Sequence, residues 1–274
     1  MHGTGHTPSS LISAAVTRIL QESSIAVLAT LVQAARGIGE KLLVEESGAR
    51  VGSFGDSALD EAVARYASAF LGSRAEAATV RVDEFARELR QWSGARLLFE
   101  RIEPEPRLVI CGAGHVGASL ARLAHFIGYR TTLIDDRADF LTRARFPEEG
   151  IELVAAGNWM DAVRESVGHG HGVSVAVVTR GHNEDEECMR AVLASRPDYV
   201  GLIGSKRRTN IVLDRLREAG ADEEQLREVR APIGLDIAAV SPQEVALAIL
   251  AEIVAERRGG TGLPLSAWRR KDRG

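Results

Sequence analysis

The residues of this 274-residue chain best suited to chemistry are Gly112, Ala113, Gly114, His115, Val116 and Gly117, a G-x-G-x-x-G run directly after the apolar stretch 108–111. The chemistry such a loop supports belongs to backbone amides. Gly112 permits a tight turn, Gly114 lets amides approach a diphosphate with no side chain between, and Gly117 lets the next helix lie close on the strand. Asp135 ends the following apolar stretch, about 20 residues on, where a carboxylate can accept from a ribose hydroxyl, and Asp136 and Arg137 stand beside it. Two later stretches carry the same kind of chemistry. Thr179, Arg180, Gly181 and His182 precede an acidic run, Glu184 to Glu187. Gly204, Ser205, Lys206, Arg207 and Arg208 read as a serine cap followed by three cations in a helix's first turn. Cations there oppose the helix dipole, which an anion such as phosphate would relieve. Solvated surface charge, or pairing with the acidic run, is the alternative. Asp236, in the loop 230–236, is a further candidate. His115 and His182 suit hydrogen bonding to a ligand better than metal ligation, and His169 and His171 fall in a glycine-rich stretch that reads as exposed surface. No tyrosine–lysine or similar proton-transfer pair is evident, so no residue is assigned a catalytic or metal-binding role.

Elements must hold these loops in place. The stretches 108–111, 131–134, 151–154, 173–178 and 199–203 are short apolar runs of the kind that parallel strands buried on both faces require. Helical spacing over 119–127, a helix opened by the acidic run, and a capping box at Ser241 to Glu244 complete an alternating pattern. The expected fold class is therefore α/β: a Rossmann-like, doubly wound parallel sheet over residues 107–259, behind a smaller α+β domain over residues 1–102. In that first domain a leader over 1–8 precedes a helix from Ser9 or Ser10 to Gln21. Strands are expected at 25–32, 41–46, 49–54, 78–82 and 96–100, with helices at 59–71 and 84–92. Pro104 and Pro106 mark the boundary, and a flexible tail is expected over 260–274.

Composition excludes several classes. With 45% hydrophobic and 26% charged residues the chain is globular, and its net charge of −4 argues against nucleic acid as a partner. No apolar run approaches the roughly 20 residues that span a bilayer, and no signal-peptide pattern opens the sequence, so a cytoplasmic location is expected. The 2 cysteines, Cys111 and Cys188, lack disulfide or metal spacing and read as buried.

The stretches VICGAGHVG, IDDRADF, VVTRGHNEDEECMRAVL, DYVGLIGSKRRTNIVLDRLREAG and RAPIGLDIAAVSPQEVALAILAEIVAERRG resemble, in order, the C-terminal domain of the XdhC/CoxI family of xanthine dehydrogenase accessory proteins. The resemblance implies binding of the molybdenum cofactor, as molybdopterin or its dinucleotide form, and its delivery to a molybdenum hydroxylase apoenzyme. It also implies cooperation with a cysteine desulfurase that sulfurates the cofactor. It makes the chain a maturation chaperone in preference to a catalyst, and a homodimer stays open. An NAD(P)-dependent oxidoreductase is the alternative, since a nicotinamide cofactor uses the same loop and Asp135. The N-terminal domain departs from the family pattern: only Ala34, Ala35 and Arg36 stand for its glycine-serine-x-proline-arginine stretch. Ala58 stands where relatives carry cysteine, and the segment Trp92 to Ala95 replaces a second cysteine stretch. Chemistry that needs those thiolates cannot run on this chain.

Overall fold

The structure, a computed structural model, describes residues 8–22, 24–73, 75–168 and 172–266. Most of the expected leader, His169, His171 and residues 267–274 lie outside the described residues. The chain forms two compact units that divide between Pro104 and Glu105.

The first unit runs α1 (Pro8–Gln21), β1 (Ala26–Gln33), β2 (Lys41–Glu45), β3 (Arg50–Gly52), α2 (Ser57–Leu71), β4 (Ala77–Arg81), α3 (Val82–Phe85), a 3-10 turn (Arg90–Trp92) and β5 (Arg96–Ile102). Its sheet has the order β3-β2-β1-β5-β4, with antiparallel pairings throughout. Alternation along β1 explains the layers. Val27, Ala29 and Leu31 join the α2 residues Leu59, Val63 and Phe70 on one face, whereas Ala26 meets Ile19 of α1 and Leu43 on the other. The single helix expected over 84–92 divides in two. The α3 backbone leaves helical geometry at Ala86 (φ −145°), and the later turn carries Trp92, whose indole Nε1 donates to Asp56 Oδ2 at 2.8 Å. A partner 36 residues away in the chain sets that break.

The second unit runs β6 (Arg107–Cys111), α4 (His115–Phe126), β7 (Arg130–Asp135), a 3-10 turn (Ala138–Phe140), β8 (Ile151–Ala155), α5 (Trp159–Val167), β9 (Val173–Val177), α6 (His182–Ser195), β10 (Tyr199–Leu202), α7 (Lys206–Glu218), α8 (Glu223–Glu228) and α9 (Pro242–Arg258). Five parallel strands stand in the order β10-β9-β6-β7-β8. Leu108 and Ile110 of β6 face α4 and α9, and Val109 and Cys111 face α5, α6 and α7. Both sides of β6 are thus buried, which is why it reads as an unbroken apolar run. The result is a doubly wound, Rossmann-like sheet. Its strand order reverses between β6 and β9, and it is in the crevice outside the carboxyl ends of the strands at such a reversal that sheets of this kind take ligands. The connection from β7 to β8 carries no crossover α-helix, only the 3-10 turn.

Two of the motif glycines are required by close approach. Gly112 has φ +117°, and a Cβ there would lie 2.6 Å from the Val178 carbonyl oxygen. At Gly117 a Cβ would lie 1.8 Å from the Gly112 carbonyl oxygen, because α4 sits directly against the turn that precedes it. Gly117→Ala is therefore expected to destabilise the second unit by about 3 kcal/mol or more, since a backbone carbonyl cannot step aside as a side chain can. Urea denaturation monitored by circular dichroism measures this, and an unchanged midpoint would contradict the packing described.

Candidate functional site

Three loops converge on the carboxyl edge of the parallel sheet, after β6, β9 and β10. Gly114 is the N-cap of α4 and Gly181 the N-cap of α6; both are extended and neither supplies a side-chain cap. The first-turn amides of α4 are therefore left without the usual side-chain acceptor, whereas at the start of α6 the Glu184 carboxylate folds back against Gly181. A Cβ built on Gly114 would meet nothing within 4 Å, so the loop faces open space there. The start of α7 differs, because Ser205 Oγ accepts from the Arg208 amide at 3.3 Å.

One side of the crevice is organised by Asp135, which is 1% exposed. Its Oδ2 accepts from the Ala113 amide at 2.6 Å and from Arg137 Nη2 at 2.9 Å. Its Oδ1 accepts from the Arg137 amide at 2.9 Å and from Arg137 Nε at 2.8 Å. Burial opposes the charge, but the hydrogen bonds from Arg137 and from the two amides outweigh it and hold the carboxyl at about 2. The Arg137 guanidinium lies 3.7 Å from the Phe140 ring centroid, and Arg145 lies 4.8 Å from the same ring. Arg145 Nη2 also donates to the Ala113 carbonyl at 3.3 Å, so both backbone groups of Ala113 are engaged. Asp136 receives both terminal nitrogens of Arg180, at 3.1 and 2.9 Å.

The other side rests on Asp185, which is fully buried. Thr179 Oγ1 donates to its Oδ1, and Arg208 Nε donates to its Oδ2 at 2.9 Å. Arg208 thus takes the pairing alternative raised by the acidic run. Lys206 and Arg207 are exposed and have no ion-pair partner among the described residues. His115 is exposed at the start of α4, and the side chain of His182 lies outside the described residues. Asp236 reaches the same edge, because the chain after Arg230 runs beside β10 and the Ile233 amide donates to the Leu202 carbonyl at 3.0 Å. Its carboxylate touches none of the other candidates; it accepts from the Ala238 amide at 3.4 Å.

Sequence reasoning did not single out Asp185, Phe140 or Arg145. Asp185 was legible, since Asp185, Cys188, Met189 and Val192 are all fully buried at the helical spacing i, i+3, i+4 and i+7. An acid on the apolar stripe of a helix needs a buried partner, and its neighbours in the acidic run do not. Phe140 and Arg145 carried no comparable signal, because the fold of the β7–β8 connection alone brings them to the loop.

In the first unit, the segments that depart from the family pattern come together. Residues 33–36 and 91–95 line a recess of ≈ 460 Å³, the Arg36 guanidinium lies 5.5 Å from the Trp92 ring, and Asp56, two residues before Ala58, holds the Trp92 indole. Ala58 and Ser93 are both exposed at this place.

A family model described as "XdhC Rossmann domain" matches residues 108–253, and one described as "XdhC and CoxI family" matches residues 19–83. Among curated proteins, one from Bacillus subtilis, named as a probable xanthine dehydrogenase subunit, is 29% identical over 162 residues, covering 59% of this chain and 46% of that protein. "Molybdenum cofactor insertion chaperone PaoD" of Escherichia coli is 30% identical over 84 residues, 31% of this chain and 26% of that protein. "Uncharacterized protein YqeB" of Escherichia coli is 32% identical over 157 residues, 57% of this chain and 28% of that protein. The matches thus span less than half the length of each of these relatives. A crystal structure of a xanthine dehydrogenase from Bacillus halodurans shares the fold, with a TM-score of 0.50 and 17% identity over 93% of this chain and 98% of that one.

Two expectations follow from the buried acids. The lowered carboxyl of Asp135 contributes stability that is fully present above about pH 4 and is lost as pH falls through about 2, on the order of 2 kcal/mol. Asp135→Asn should flatten that acid limb in denaturation free energies measured between about pH 2 and pH 5; a wild-type limb as flat as the variant's would refute it. Asp185→Ala should cost about 3–5 kcal/mol in urea denaturation, because it leaves Arg208 without its buried partner, whereas Lys206→Ala should stay within about 0.5 kcal/mol. Equal effects of the two would show that Asp185 is not the structural anchor.

Proposed function

The chain belongs to the XdhC and CoxI family, and from that premise we propose that it binds the molybdenum cofactor in the β6/β9 crevice and helps to insert it into a molybdenum hydroxylase. The observation that carries this reading is the start of α4 at Gly114, which has no side-chain cap and opens on space where a Cβ would meet nothing within 4 Å. Backbone amides at helix starts are suited to a phosphate or diphosphate, and the cofactor ends in the first or contains the second. The names of the Escherichia and Bacillus relatives, a molybdenum cofactor insertion chaperone and a xanthine dehydrogenase subunit, support the same reading.

In this account the amides of Gly114, His115 and Val116 receive the phosphate, and Gly112 and Gly117 allow the close turn that presents them. The amides of Gly181 and His182 join it only when the Glu184 carboxylate, which lies against Gly181, turns away. Lys206 and Arg207, the unpaired cations that follow Gly204 and Ser205, add charge from the β10 side. Ala113, Asp135, Asp136, Arg137, Thr179, Arg180 and Arg208 act as positioning residues: their charges are spent on one another, on Asp185 or on the loop backbone, and they fix where the amides point. Asp236 sits at the rim. Once inserted, the cofactor supplies redox chemistry to the target enzyme; this chain contributes binding, orientation and release.

Sulfur is not carried on this chain. Its 2 cysteines are Cys111 and Cys188, both fully buried. Burial, and then the neighbouring Cys111, push the Cys188 thiol far above the ordinary thiol range, and neither sulfur is exposed to solvent. Sulfuration therefore falls to a cysteine desulfurase partner, with the cofactor held here.

The test begins with purification of the chain from cells that make the cofactor and mass spectrometry of whatever is bound. A molybdopterin is expected; a nicotinamide nucleotide would overturn the reading in favour of an oxidoreductase. Gly114→Val, whose side chain would enter open crevice and not the core, should weaken calorimetric binding of the cofactor by about 100-fold, roughly 2.7 kcal/mol, with the unfolding midpoint kept. Unchanged affinity would move the site elsewhere.

A further inference from the structure

On a sheet of this order, a dinucleotide leaves the glycine loop in a set direction. Its diphosphate lies over the loop, and its far nucleoside passes to the end of the adjacent strand, where a carboxylate takes the ribose hydroxyls. Here that strand is β7, and the carboxylate at its end is Asp135. Both of its oxygens are engaged, by the Ala113 amide and by the amide and guanidinium of Arg137, and the residue is 1% exposed. The next carboxylate, Asp136, is held by both terminal nitrogens of Arg180. Asp135, the carboxylate at the position that would take a ribose, has no lone pair left to do so, and Asp136 has an Arg180 nitrogen on each oxygen.

The space beyond is occupied as well. The chain from β7 to β8 forms no crossover α-helix and folds its side chains back on the loop. Phe140 packs against two guanidinium groups, Arg137 at 3.7 Å and Arg145 at 4.8 Å from its ring centroid. Arg145 Nη1 donates to the Phe140 carbonyl at 2.9 Å, and its Nη2 donates to the Ala113 carbonyl at 3.3 Å, which ties the stack to the glycine loop itself. An aromatic ring flanked by two guanidinium groups thus stands in the loop that follows β7, on the side where a base would lie beyond a ribose. To admit one, the stack would have to open and the buried Asp135 would have to give up its pairing with Arg137.

We infer that the crevice accepts a ligand ending in a single phosphate and rejects dinucleotides, because the Asp135, Arg137, Phe140 and Arg145 side chains occupy the second nucleotide's half of the site. The inference rests on the proposed cofactor binding and refines it: the form carried is the pterin with a terminal phosphate, not its nucleotide-extended form. Phe140 and Arg145 are then specificity-determining residues that the phosphate itself never touches.

The experiment is calorimetric titration of the full chain, freed of bound ligand, with the mononucleotide form of the cofactor, with its dinucleotide form and with NADH. The expected result is binding of the mononucleotide form at least about tenfold tighter than the dinucleotide form, with no measurable binding of NADH. Phe140→Ala should narrow that gap by strengthening dinucleotide binding while leaving mononucleotide affinity within about twofold. Arg145→Ala, which removes the tie to Ala113 but keeps the ring, gives the same comparison in a second variant should the first fail to fold. Dinucleotide binding as tight as or tighter than the mononucleotide's in the wild type would overturn the inference and leave the proposed function standing. Failure of both cofactor forms to bind would overturn the proposed function, and this inference with it.

Discussion

A buried carboxylate holds the geometry of the glycine loop. Asp135 ends the strand next to β6, so its side chain is the group that can reach across the sheet edge to the loop, and it accepts the Ala113 amide there. A charge taken out of water is tolerated only when donors replace its hydration, and Asp135 has four hydrogen bonds from two residues. The carboxyl is held ionised by those donors, and the ionised form is what makes the loop rigid. Across the switch point Asp185 repeats the device. It joins Thr179, at the end of β9, to Arg208 in the first turn of α7. The crevice is thus flanked by two buried aspartate–arginine pairs. Its polar side chains are largely committed to one another, and what they hold in position is backbone.

This division explains which features could be read from the sequence. The five parallel strands could be, because strands buried on both faces must be apolar throughout, and the glycine motif could be, because its constraints are local: a positive φ at Gly112 and a close approach at Gly117. Helix α4 begins at His115, earlier than apolar spacing suggests, since glycine and small residues fill its first turn where it meets β6. Helix α5 was not among the expected elements, although Asn158, which accepts from the Asp161 amide, caps it and Trp159, Ala162, Val163 and Val167 bury one face at helical spacing. The division of the expected 84–92 helix could not be read. It depends on Asp56 holding Trp92, a contact between segments that local propensity does not relate.

For the candidate site the limit was of the same kind. Residue types identified the loops after β6, β9 and β10, but not which charges would be consumed. Of three successive cations, Arg208 turns inward to Asp185 because it lies three residues after the cap, one turn into α7 beside the fully buried Thr209, whereas Lys206 and Arg207 stay in solvent. Of two successive acids at the end of β7, strand alternation sends Asp135 into the core and leaves Asp136 at the surface with Arg180. A period of 2 in the strand or 3.6 in the helix separates the two groups, yet the partners that make the inward choice stable are 23 residues away for Asp185 and Arg208 and 22 for Asp135 and Ala113.

The committed charges also bear on what a carrier of a labile cofactor needs. If every cation at the crevice closed on the phosphate, binding would gain strength but release to a target enzyme would require breaking several desolvated ion pairs. Here Arg137 and Arg208 are already paired with buried aspartates and Arg180 with Asp136, so they fix geometry without adding to the attraction. The remaining pull comes from amides in an open crevice and from solvent-exposed Lys206 and Arg207, interactions that water and salt weaken. On the proposed function, a rigid frame with a solvated grip would separate recognition from retention: the loop shape would select the ligand, and the modest exposed charge would leave it free to pass to a protein that can enclose it.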